Sequence, residues 1–288
     1  MLSQKMQKHS FCTPLICTLL KSQKTNMEKI LIQVYEIQTP QEAKAMIALG
    51  VDHIGTILLE KRNWKSTSIR NTIDAVHKKG ALSSLIPLFN DQDTVLQALG
   101  FYHPTIVHFC ETLVEPKNPV SMGYDRAFID RLTDLQANIR QRFPRIKIMR
   151  SIPIAPTGSA DKVPSLELAG IFEPFSDLFL TDTLLLSDFQ KPEQPVKGFV
   201  GITGKTCDWS VASKLVETSR LPVILAGGIS PENVYEAILN VRPAGVDSCT
   251  LTNASDNHGK PVRFKKDPCK VEKMVKEVRK AEKGIFSS

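Results

Sequence analysis

From Lys29 onward the chain repeats one pattern eight times: a short run rich in β-branched and apolar residues, a turn, then a stretch with helical spacing. The candidate strands cover 30–35, 53–58, 82–88, 105–109, 146–152, 177–181, 223–226 and 245–248. The candidate helices cover 40–49, 67–79, 91–100, 124–142, 165–172, 208–218, 231–240 and 267–282. Runs such as Ile30-Leu31-Ile32 and Val223-Ile224-Leu225-Ala226 are apolar at every position, as parallel strands covered on both faces must be. Eight βα units within residues 27–288 fit one (β/α)8 TIM barrel, an α/β fold of about 250 residues. The competing open doubly wound sheet needs a glycine-rich first turn, and Glu36-Ile37-Gln38-Thr39 has no glycine.

Local signals agree with this register. Thr39-Pro40-Gln41-Glu42 offers an N-cap Thr, a Pro at the first helical position and a Glu at the third, a capping box. Ser230-Pro231-Glu232-Asn233 repeats the cap and the Pro. Gly50 stands just past a helix end, where a left-handed residue is wanted.

The net charge of +7, from 37 Lys+Arg against 30 Asp+Glu, is unevenly placed. Residues 1–26 hold Lys5, Lys8, Lys21 and Lys24 and no acid; residues 260–288 hold ten basic and four acidic residues, which leaves residues 27–259 at −3. A slightly acidic body with two basic ends lacks the basic face that nucleic-acid binding needs. The lysines of the last helix alternate with Glu272, Glu277 and Glu282, as on a solvated face. The longest apolar runs, about ten residues, are too short for a bilayer. Residues 1–26 read as an unstructured leader or an upstream-start extension with Met27 as the working start, since Pro14 breaks the apolar stretch and no small-residue cleavage site follows. The six cysteines form no CxxC pair and no metal-ligand spacing with histidine, so reduced thiols, a cytoplasmic location and no metal are expected.

In a TIM barrel the chemistry sits at the C-terminal strand ends. Two features stand out there. Gly227 and Gly228 end the seventh strand just before a helix, at one of the loops where barrels bind phosphate on backbone amides. Asp182 ends the sixth strand and is a candidate general acid. The loop after it contains Gly204-Lys205-Thr206, but Gly201 lies only three residues before Gly204, so this is not a nucleotide-binding P-loop.

Gly204-Lys205-Thr206-Cys207-Asp208-Trp209, Pro222 to Val234 and Val241 to Asp247, in this order and spacing, resemble the phosphoribosylanthranilate isomerase family of tryptophan biosynthesis. The resemblance is dense over residues 200–285 and thin before 180, where Gly50 to Gly55 and the preceding helix align. It implies an Amadori rearrangement, an intramolecular aldose–ketose conversion: a general acid protonates the furanose ring oxygen, a general base removes the C2 proton, and no cofactor takes part. Asp182 stands where the family keeps its acid. The family's base is a Cys on the first strand, and Tyr35 stands there, about 2 kcal/mol harder to ionise than Cys by reference pKa. The resemblance also places Arg62 at the family's substrate-binding arginine, and Asp247, Ser248 and Cys249 at its strand-eight phosphate and substrate loop, without that loop's glycine.

The expected ligand is therefore a small phosphosugar, bound by a monomer or homodimer with no nucleic-acid or membrane partner. A barrel that binds a sugar phosphate without turning it over, and an isomerase of a different phosphosugar, are the alternatives.

Overall fold

The computed structural model describes residues 29–118, 121–186 and 198–286; the expected leader lies outside them. Eight parallel strands close into a barrel in the order β1 (Leu31–Val34), β10 (Gly245–Ser248), β9 (Val223–Leu225), β8 (Leu178–Thr183), β7 (Lys147–Ile154), β4 (Ile106–Phe109), β3 (Leu82–Pro87) and β2 (His53–Leu58). Eight helices surround it: α1 (Pro40–Ala48), α2 (Thr67–Lys78), α3 (Gln92–Tyr102), α4 (Arg126–Arg142), α5 (Ser165–Phe172), α6 (Trp209–Thr218), α7 (Val234–Val241) and α8 (Pro268–Phe286). Each expected strand and helix is present. No helix among the described residues is long and apolar enough to cross a membrane.

Two antiparallel hairpins interrupt the alternation, and no periodicity announced them. β5 (Glu115–Asn118) pairs with β6 (Ser121–Gly123), and β11 (Asn253–Ser255) pairs with β12 (Pro261–Lys266). The second is fastened to the loop after β1. Glu36, fully buried with φ 65°, accepts from Asn253 Nδ2 (3.2 Å), Arg263 Nε (2.6 Å) and the Phe264 amide (3.2 Å). Three bonds hold this residue in a conformation that favours glycine.

The caps follow the sequence in part. Thr39 accepts from the Glu42 amide, but the Glu42 carboxylate turns away to the Lys266 amide at 2.8 Å, so only half of the capping box forms. α7 starts at Val234 rather than Pro231, because Asn233 ties the preceding turn to itself through the Gly228 carbonyl and the Ser230 amide (both 2.8 Å).

Most of the apolar core lies between barrel and helices, where Ile32, Ile54, Leu225 and Val246 meet Met46, Ile238, Val271 and Met274. Arg150 on β7 is fully buried in the same layer. It is ion-paired with Glu111, bonded to Gln136 Oε1 through Nε (2.8 Å) and Nη2 (2.6 Å), and stacked on the rings of Phe109 and Phe172.

Candidate active site

One cavity opens at the C-terminal ends of the barrel strands. Its lining draws on seven of the eight: Tyr35 after β1, Ile57 on β2, Ile86 and Leu88 at β3, His108 and Cys110 at β4, Leu180 and Asp182 on β8, Ala226 to Ile229 after β9, and Asp247 to Leu251 from β10 onward. The segment Phe199 to Gly204 forms a further wall. That segment is held across the mouth by main-chain bonds from Thr112 N to Gly198 O (2.9 Å) and Val200 N to Cys110 O (2.8 Å).

Asp182 is partly exposed at this mouth. Its Oδ1 accepts from the Thr183 amide at 2.8 Å, and its Oδ2 lies so close to Gly201 that a side chain there would collide with it. The surrounding walls strip water from the carboxyl and push its pKa up to about 7, against the weaker pull of the Thr183 amide. It can thus carry a proton near neutral pH and release it to a bound molecule.

The Gly227-Gly228 turn lies beside it. A Cβ on Gly228 would sit 2.5 Å from the Lys205 carbonyl carbon and 2.6 Å from the Thr206 nitrogen, and φ is +64°. Only glycine lets this turn nest under the 203–206 loop. The nest is closed by Thr183 Oγ1 to Lys205 O (2.7 Å), and Thr181 Oγ1 stitches β8 to Ala226 through both its amide and its carbonyl (3.0 and 3.1 Å).

Across the mouth, Asp247 is 7% exposed. Gln33, its register partner on β1, donates from Nε2 to Asp247 Oδ1 at 3.2 Å, and Gln33 Oε1 accepts from His53 Nδ1 at 3.2 Å. Loss of water, with Asp182 nearby, pushes Asp247 up to about 7, while Gln33 and Lys266 oppose the shift. Ser248 spends its hydroxyl on the Ile229 carbonyl (2.7 Å), and Cys249 is half-buried at the rim.

Tyr35 and Arg62 are placed differently from the other expected residues. Tyr35 lines the cavity, but its ring is buried against Gly55, where any side chain would clash with it. Its hydroxyl meets Ser84 Oγ (2.5 Å) and His108 Nδ1 (2.7 Å), and His108 Nε2 meets Ser151 Oγ (2.8 Å). Burial drives the phenol pKa well above its ordinary value, the wrong direction for a base. The hydroxyl is a strut across the barrel interior. Arg62 is exposed and lies off the cavity lining, because its loop folds down toward α3: Lys61 pairs with Asp91 (3.0 Å), and Tyr102 donates to the Trp64 carbonyl (2.6 Å).

The remaining expected residues, Asp182, Gly227, Gly228, Asp247, Ser248 and Cys249, share this cavity. Sequence reasoning missed the pairing of Gln33 and His53 with Asp247, which depends on the β1–β10 and β1–β2 registers. It also missed the His108–Ser151 contact, which depends on the β4–β7 register. Among the described residues, no group of three or more His, Cys, Asp or Glu side chains is placed to hold a metal ion.

Residues 164–250 match the family model for N-(5'-phosphoribosyl)anthranilate isomerase. Relatives of that name match over most of the chain. The protein from Methanocella arvoryzae is 32% identical over 248 residues, 86% of this chain and 97% of the relative. The one from Synechococcus elongatus is 34% identical over 223 residues, 75% and 84% of the two chains. Among solved structures, phosphoribosylanthranilate isomerase from Thermotoga maritima superposes with a TM-score of 0.60 at 19% identity, over 87% of this chain and 99% of that one. The enzyme from Pyrococcus furiosus gives 0.56 at 19% identity, with 87% and 99% covered. With full-length relatives above 30% identity and the family's motifs at the mouth of the barrel, the chain belongs to the phosphoribosylanthranilate isomerase family.

Proposed function

We propose that this protein isomerises phosphoribosylanthranilate, converting a phosphorylated N-aryl aminoaldose into the aminoketose by acid–base catalysis. The observation that carries the reading is the Asp182 carboxyl, raised to about 7 at the mouth of a cavity that is apolar on one side and turns on two glycines on the other. Ile57, Ile86, Leu88 and Phe199 offer an apolar wall for the aryl ring. The Gly227-Gly228 turn and the main chain after Ser248 line the other side and are the backbone offered to the phosphate.

In this reading Asp182 donates its proton to the furanose ring oxygen, the C4–oxygen partner of the C1 hemiaminal bond stays attached as a hydroxyl, and the ring opens to a protonated Schiff base. Loss of the C2 proton then gives an enolamine. Proton gain at C1 and loss from the enol oxygen complete the ketone. No cofactor is required, because every step moves protons. The enzyme would serve tryptophan biosynthesis in the cytoplasm as a monomer or homodimer.

Turnover of phosphoribosylanthranilate by the wild-type chain and by Asp182→Asn tests this. The wild type should form the aminoketose, and the variant should lose roughly 10²–10⁴-fold in kcat. Wild-type protein that binds the phosphosugar, seen as a raised Tm, yet forms no product would favour the non-catalytic barrel instead.

A further inference from the structure

With Tyr35 locked into the interior, the reaction lacks the residue that takes the C2 proton. Six ionisable side chains line the cavity among the described residues: Tyr35, His108, Cys110, Asp182, Asp247 and Cys249. His108 uses both ring nitrogens, on Tyr35 and Ser151, and burial beside Arg150 lowers it to about 3. Burial raises the thiols of Cys110 and Cys249 far above the range in which a thiolate forms near neutral pH. Asp182 is committed to the acid role. Asp247 remains.

We propose that Asp247 is the general base that removes the C2 proton, with Gln33 and His53 holding its carboxylate in place. This rests on the isomerase reading above. The placement supports it: β10 is the strand next to β1, and Asp247 pairs in register with Gln33, two residues before Tyr35 and on the same inward face. The bonding polarity supports it too. Gln33 Oε1 takes the His53 Nδ1 proton, so the Gln33 amide presents N–H to Asp247 Oδ1. A carboxylate that accepts a hydrogen bond is favoured over the neutral acid. His53 Nε2 is buried with no partner, as a neutral imidazole protonated on Nδ1 leaves it. Asp182 also accepts one N–H bond, from the Thr183 amide, but from no side chain, and Lys266 adds to the bias toward the carboxylate at Asp247.

The charges facing Asp247 are few. Asp182 from β8 opposes its ionisation, and Lys266 from β12 favours it; Tyr35, Cys249 and His53 are neutral neighbours. With both carboxyls raised to about 7, one can hold its proton while the other is ionised near neutral pH, so that the pair supplies an acid and a base. In the cycle Asp247 gains the C2 proton as Asp182 loses its own to the ring oxygen. Asp247 then returns a proton to C1, Asp182 recovers one from the enol hydroxyl, and both end as they began.

The test uses phosphoribosylanthranilate, unlabelled and deuterated at C2, with the wild-type chain, Asp247→Asn, Asp182→Asn and Gln33→Leu. Asp247→Asn should lower kcat by roughly 10²–10⁴-fold with KM within a few-fold, and its C2 isotope effect should exceed that of the wild type. In Asp182→Asn ring opening limits the rate, so its isotope effect should fall toward one. Gln33→Leu should move the acid limb of the pH profile upward, a shift that a merely structural role would not produce. Melting of each variant reports whether it folds, and Asp247→Asn should melt no lower than the wild type. A folded Asp247→Asn whose kcat stays within about 3-fold of the wild type, or whose loss lies in KM alone, overturns the assignment while leaving the isomerase reading intact. A wild-type chain without turnover overturns both.

Discussion

The two arcs of the barrel keep order by different means. From β8 to β10 the site is built from backbone: glycines nested under a loop, threonine hydroxyls stitching strand to strand, and an Asn clamp on the turn before α7. From β1 to β7 it is built from buried polar side chains: the Ser84–Tyr35–His108–Ser151 series inside the barrel and the Glu111–Arg150–Gln136 group outside it. A backbone nest tolerates little change, because a single Cβ destroys it. A side-chain network can be rebuilt so long as each buried group finds a partner. The match to the family model, residues 164–250, falls on the first arc.

Breaking the side-chain arc should cost the most stability. Arg150→Ala leaves Glu111 charged and buried without its partner and should destabilise the fold by about 3–5 kcal/mol, read from urea unfolding. A loss under about 1 kcal/mol would mean that water reaches this layer. The backbone arc is probed at Gly228. Gly228→Ala should cost about 1–3 kcal/mol from its positive φ alone and should also weaken phosphosugar binding, measured by calorimetry.

The carboxyl pair on the β8 to β10 arc should cost stability as it ionises. Asp182 and Asp247 lie near 7 in the fold against about 3.9 in an unfolded chain, so the unfolded state binds fewer protons between these values. Stability should therefore be highest below about pH 4 as far as this pair is concerned, and fall as pH rises through 7. Asp247→Asn should remove part of that fall and stabilise the protein by about 1–3 kcal/mol at pH 8, seen as a higher Tm; an unchanged or lower Tm there would show that the carboxyl is well solvated.

Tyr35→Phe should have the smallest effect on chemistry. It strands Ser84 and His108 and should cost about 1–3 kcal/mol of stability, with kcat within about 3-fold of the wild type. A large loss of kcat at unchanged stability would return the phenol to the reaction.

The barrel was legible in the sequence because eight alternations of strand and helix leave few closed solutions, and Asp182 and the Gly227-Gly228 turn because their strand-end positions mark them. The two hairpins were not legible: Glu115–Asn118 and Ser121–Gly123 are short and polar, and the pair Asn253–Ser255 and Pro261–Lys266 is fastened by the distant Glu36. The placement of Arg62 off the cavity lining was not legible either, because a loop's direction is set by what it packs on, here Tyr102 and Asp91. The role of Tyr35 was hidden for a related reason. Nothing local says that Gly55 makes room for its ring, or that Ser84 and His108 wait for its hydroxyl.

The proposed isomerisation runs on two carboxyls at the barrel mouth, one protonated and one ionised. The direct measurement is kcat/KM for phosphoribosylanthranilate from about pH 5 to pH 9. A bell with its maximum near neutral pH is expected, with an acid limb moved or lost in Asp247→Asn and an alkaline limb moved or lost in Asp182→Asn. A rate that climbs steadily through about pH 9, as a thiol or phenol base would give, contradicts it.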